Sequence, residues 1–71
     1  MKIETRLKKL VEYVDIYMGE PGRVLNENQL QICCGTWMRA RDIAQYLEQY
    51  GETTVHDGED YSNVILTLKR K

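Results

Sequence analysis

Apolar residues change their spacing once along this chain, at Gly51, and that change constrains the fold more than any other feature of the sequence. Upstream, Ile3, Leu7, Leu10, Val14 and Tyr17 recur at steps of three and four, with Val11 and Met18 beside them. That is the spacing of one helical face. Ala40, Ile43, Ala44, Leu47 and Tyr50 repeat the pattern. Downstream the period falls to two: Val64, Leu66 and Leu68 share one side of a segment whose other side is Asn63, Ile65 and Thr67. Residues 53–56 and 61–69 therefore read as strands, and Asp57-Gly58 between them as a hairpin turn.

The helical part divides at glycines. A first helix is expected over residues 2–18. Pro21 followed by Gly22 suits the middle of a type II turn, with Arg23, Val24 and Leu25 briefly extended. Asn26 and Gln29 have the spacing of a capping box, and Leu25 and Leu30 that of a hydrophobic staple, so a second helix is expected over 26–35 with Leu30, Cys33 and Cys34 inward. Gly35 would stop it by taking a positive φ, Thr36 would cap a third helix over 37–50, and Gly51 would end that one. The expected class is mainly α with a C-terminal β-hairpin. The alternative follows from the β-branched and aromatic residues of 11–18: as a strand they would make 20–22 a hairpin turn, add an N-terminal hairpin, and give an α+β domain with four strands.

At 71 residues there is room for a single domain over 1–71. A chain of this size buries about 60% of its unfolded surface, so a second copy or a bound partner is a natural source of added stability. No apolar run is long enough for a membrane span, and the charged first ten residues are unlike a signal peptide, so a cytoplasmic location is expected. Cys33 and Cys34 are adjacent, which is neither a disulfide framework nor a CxxC site, and reduced thiols are expected. With His56 the single histidine, no metal and no cofactor is expected. His56 beside Asp57 is the nearest approach to an acid–base pair, but it lies next to a turn, and no nucleophile or phosphate-loop motif accompanies it, so the chain reads as non-enzymatic.

Formal net charge is -1, but its distribution is uneven. Lys2, Arg6, Lys8 and Lys9 dominate the first ten residues and Lys69, Arg70 and Lys71 close the chain, while Glu52, Asp57, Glu59 and Asp60 gather around the hairpin. On the third helix, Arg39 and Arg41 could grip phosphate or a guanine edge, and Gln45 and Gln49 could pair with adenine. Trp37 and Met38 in its first turn could instead anchor a protein.

The order of three helices and a hairpin, with a tight turn at Gly35-Thr36, resembles a winged helix-turn-helix domain: 26–35 as supporting helix, 36–50 as recognition helix, 53–69 as wing. The resemblance implies duplex DNA as partner, with the third helix in the major groove. On that expectation the protein is a transcription regulator or a recombination or architectural accessory factor, binding as a homodimer or cooperatively. Arg39, Arg41, Gln45 and Gln49 would read bases, while Lys69, Arg70 and Lys71, with Lys2, Lys8 and Lys9, would hold phosphate. An acidic wing tip would repel phosphate and should point away from DNA or meet a protein. The alternative expectation is a protein-interaction module or inhibitor, such as a phage or plasmid accessory protein acting on a host enzyme, with Trp37, Met38, Asp57, Glu59 and Asp60 as contact residues.

Overall fold

The computed structural model describes residues 3–68 and shows an α+β fold, two helices on one face of a four-stranded antiparallel sheet. The elements are α1 (Ile3–Tyr13), continued by a π-helical turn (Val14–Met18), β1 (Gly22–Asn26), β2 (Gln29–Cys34), α2 (Trp37–Leu47), β3 (Gly51–Asp57) and β4 (Ser62–Leu68). The expectation of a mainly α, three-helix winged helix-turn-helix is overturned, because the segment assigned to its supporting helix is a strand. That strand, β2, pairs with β1 on one side and β4 on the other. The alternative α+β class is the one found, but its extra hairpin lies elsewhere: residues 11–18 are helical, and β1 and β2 form the hairpin across residues 26–29.

The physical reason lies in two features of residues 25–34. The Asn26–Gln29 signal is used, but for a turn: the Asn26 carboxamide oxygen accepts from the Asn28 backbone N–H at 3.1 Å, and its nitrogen donates to the Gln29 side chain at 2.6 Å. An asparagine that bonds its own backbone two residues on makes an Asx-turn. Leu30, Ile32 and Cys34 are then all buried, a period of two, while Gln29, Gln31 and Cys33 face the other side of the sheet. Adjacent cysteines on a strand point to opposite faces, so a vicinal bridge is excluded by geometry; both thiols are free.

Strand order β1-β2-β4-β3 makes β2, α2 and β3 a split β-α-β unit: β2 and β3 run parallel, and β4 fills the gap between them, antiparallel to both. The core lies between this sheet and the helices. Leu7, Leu10 and Val14 enter it from the first helix, Ala40, Ile43, Ala44 and Leu47 from α2, and Leu30, Ile32, Cys34, Val64, Leu66 and Leu68 from the two central strands. Burying the central strands on one face alone explains their clean alternation. Among the described residues the far face carries no helix and, Ile65 apart, is largely polar, with Arg23 bonded to Gln31, Gln29 to Thr67 and Cys33 to Asn63 across the strands.

The glycines act differently from the sequence expectation. Gly19 alone takes a positive φ, 73°, and ends the π-helical turn with its N–H on the Asp15 carbonyl. Gly51 is required by space: a Cβ there would overlap the Thr67 carbonyl oxygen, where β3 starts flush against β4. Gly35, expected to need a positive φ, does not have one.

Candidate interaction surfaces

The N-terminus of α2 is positioned by Thr36, whose hydroxyl accepts from the Arg39 backbone N–H at 3.2 Å, the cap expected from sequence. Because α2 follows β2, it starts at the end of the sheet where Cys34 pairs with Ser62 and Ser62 with Asp57. Topology therefore brings Trp37 and Met38 to the same end as the hairpin tip with Asp57, Glu59 and Asp60. All five are exposed. Asp57 also accepts from the Ser62 hydroxyl at 3.0 Å, which holds the base of the tip.

The end of the first helix reaches this place as well. Between Val14 and Met18 the wider π turn carries Met18 against the core and leaves Ile16 and Tyr17 outward, although the sequence spacing placed Tyr17 on the buried stripe. Short π segments are frequent at functional sites. The open Met18 carbonyl, with no further turn to accept from, takes a hydrogen bond from Arg39 Nη2 at 2.8 Å, and Arg39 Nε stands 3.5 Å from Glu20 Oε1. This clasp joins the two helix ends; close to it along the chain, Ile16, Tyr17 and Met38 are 72%, 73% and 73% exposed, and Trp37, on the Arg41 side of α2, is 48% exposed. Sequence reasoning missed Ile16 and Tyr17; the signal lay in the pair of helix-breaking residues, Gly19 and Pro21, close behind them.

The Arg39 and Arg41 side chains point to different partners. Two residues along a helix are about 200° of rotation apart. Arg39 turns to Met18 and Glu20, while the Arg41 guanidinium lies 5.6 Å from the centre of the Trp37 ring. Gln45 is exposed one turn after Arg41. Gln49 lies beyond the last helical residue and donates to the Tyr46 carbonyl at 2.9 Å. Lys8 and Lys9 are exposed on α1, and Lys2, Lys69, Arg70 and Lys71 lie outside the described residues.

Along the seam of the helices runs a row of tyrosines. Tyr13 stacks on Tyr46 at 5.5 Å and 12°, Tyr17 lies 4.7 Å from Tyr13, and Tyr50 meets Tyr46 edge-on under the Arg6 guanidinium. The hydroxyl contact with Tyr50, followed by burial, pushes the Tyr46 phenol well above its ordinary range, so Tyr46 stays neutral and serves packing. On the open face of the sheet a cleft of about 380 Å³ is lined by Arg23, Gln31, Cys33, Asn63 and Tyr61 around Pro21 and Gly22. Arg23 with Gln31, and Cys33 with Asn63, bond to each other across it. Cys34, on the core side, has its thiol pushed up to about 11 by burial, with Glu20 adding to the effect. Among the described residues no three His, Cys, Asp or Glu side chains are grouped to hold a metal ion, and no helix is long and apolar enough to cross a membrane.

Compared with known proteins, the chain matches no protein-family model, no curated protein and no solved structure.

Proposed function

We propose that this chain is a non-enzymatic protein-binding module that presents the end of the domain around the Arg39 clasp to a partner protein. The observation that carries the reading is the exposure of Ile16, Tyr17, Trp37 and Met38 on the two helix ends that the Arg39 clasp joins. Scattered apolar residues on a surface need no explanation, whereas several large ones gathered on two joined helix ends offer anchors for the buried centre of an interface. Trp, Tyr and Met are also the residue types enriched at such centres. The neighbouring hairpin tip adds Asp57, Glu59 and Asp60, and no Lys or Arg occurs anywhere from Gly51 to Thr67. The complementary partner therefore has an apolar centre and a basic rim.

Duplex DNA draws on the same helix but has weaker support, since Arg39 is committed within the domain and the acidic tip at this end repels phosphate. The experiment that separates the two is paired. Gel shift with mixed duplexes at about 50 mM salt, where phosphate contacts are strongest, is expected to show no retention. Partner capture is expected to depend on the apolar residues, so that Tyr17→Asp with Met38→Asp removes a partner that purified wild-type chain binds directly. Salt-sensitive retention of DNA that is lost on changing Arg39 and Arg41 to Glu would replace this reading with a DNA-binding one.

A further inference from the structure

The outer edge of β3 is chemically self-complementary, and we infer that a second copy of this chain pairs along it, antiparallel, about a two-fold axis at Thr54. The inference is independent of the partner proposed above. β3 is a sheet edge bonded to β4 alone, seven residues long and in unbroken register from Gly51 to Asp57. Of the features that blunt an edge it has no proline, no lysine and no bulge; its two carboxylates, Glu52 and Asp57, stand near its ends, and its centre is Thr53-Thr54-Val55. The opposite edge differs, since β1 is five residues long and its register shifts between Val24 and Asn26.

The free backbone groups follow from the bonds already made. Gly58 N–H donates to the Tyr61 carbonyl at 3.0 Å, so Gly58 faces β4. Along an antiparallel strand this direction alternates. His56, Thr54 and Glu52 therefore bond inward to β4, and Asp57, Val55, Thr53 and Gly51 turn their N–H and C=O groups outward. Leu68, opposite Gly51, has the matching phase, because its N–H goes the other way, to the Asn28 carbonyl at 2.8 Å.

Two such edges meeting at Thr54 overlap over the whole strand. Thr53 bonds Val55 of the second copy, Gly51 bonds its Asp57, and each pairing occurs twice. The intervening rows are those without backbone bonds, in which side chains approach more closely. There Thr54 meets Thr54, and Glu52 meets His56 on both sides of the axis. Glu52, Thr54 and His56 are all exposed, on the open face of the sheet beside Ile65. A carboxylate opposite an imidazole is matched whether the ring is neutral or charged, because either form has an N–H to donate. Moving the axis to Thr53 or to Val55 shortens the overlap and places Glu52 or His56 opposite Thr54, so that both matched pairs are lost. The product is a continuous antiparallel sheet across the two copies, with the helices of both on one face.

The test is charge exchange across the axis, measured by sedimentation equilibrium. Wild type is expected to dimerise reversibly. Glu52→Lys places a lysine opposite His56, and His56→Glu places a second carboxylate opposite Glu52, so each alone should weaken self-association by about tenfold or more, two cross-strand pairs being altered at once. In an equimolar mixture of the two variants, the introduced lysine of one copy faces the introduced glutamate of the other, while the retained Glu52 faces the retained His56. The mixture should recover a dimer at least as tight as wild type. All the altered positions are solvent-exposed, and circular dichroism checks that each variant keeps its fold. A wild-type chain that stays monomeric at near-millimolar concentration, or a dimer indifferent to both changes and to their mixing, would overturn the inference.

Discussion

Gly51→Ala tests the fold at its tightest backbone contact. The added methyl would overlap the Thr67 carbonyl oxygen and sit 3.0 Å from Leu68 Cα, and both are backbone atoms of the central strand β4, so no side chain can rotate away. Relief requires the start of β3 to move off β4, where Gly51 pairs with Leu68 and Glu52 with Thr67. Overpacking of this kind costs about 1 to 3 kcal/mol, and backbone neighbours place it in the upper part of that range. At about 2.5 kcal/mol the midpoint of thermal unfolding should fall by about 10 to 20 °C for a domain of this size. Gly35→Ala is the control: nothing lies within 4 Å of a Cβ at that position and its φ is not positive, so reduced freedom of the unfolded chain should raise stability by about 0.4 to 1 kcal/mol. Gly19→Ala has the same open space but a φ of 73°, and should lose about 1 kcal/mol to backbone strain. Thermal melts followed by circular dichroism rank the three. Gly51→Ala as harmless as Gly35→Ala would refute the close approach of β3 to β4, and with it the split β-α-β arrangement.

Other perturbations reach the remaining parts of the structure. Thr36→Ala should cost about 1 kcal/mol in urea unfolding, because the Arg39 backbone N–H loses its capping acceptor. Leu66→Ala, at a fully buried position between Leu30 and Thr53 on the neighbouring strands, should cost about 2 to 5 kcal/mol, enough to leave so small a domain largely unfolded. Cys34 should resist alkylation in the native state, while half-buried Cys33, on the open face, reacts first under mass-spectrometric monitoring. Since burial raises the Cys34 thiol from 9.0 to about 11, the folded state holds that proton more tightly than the unfolded one. Its contribution is complete below about pH 9 and should fade as pH rises toward about 11, an alkaline loss of stability that Cys34→Ala removes.

The hairpin of β3 and β4 and the helix α2 were legible in the sequence, because each carries a signal contained within itself. Val64, Leu66 and Leu68 alternate with their neighbours over enough residues to exclude a helix, and Thr36 ahead of Ala40, Ile43, Ala44 and Leu47 states both the start and the inward face of α2. The segment from Asn26 to Cys34 was ambiguous in principle. Leu30, Cys33 and Cys34 satisfy a helical spacing, and Leu30, Ile32 and Cys34 satisfy a strand spacing, within the same few residues. Over so short a run, periodicity cannot choose.

Neighbours made the choice. An isolated hairpin is marginal in water, and the flank of β4 away from β3 offers unpaired backbone groups together with Val64 and Leu66, which need apolar cover. A strand at 29–34 satisfies both, pairing Leu30 with Leu66 and Ile32 with Val64, whereas a helix there would leave that edge open. The candidate surfaces divide in the same way. The residue types of the apolar and acidic end stand in the sequence, but only the β2-α2 connection brings Trp37 to the same end as the hairpin tip, and only the packing of helix ends sends Arg39 to Met18 rather than to solvent. Local chemistry determined which short elements could form; the sharing of backbone hydrogen bonds and buried faces among distant segments decided which did.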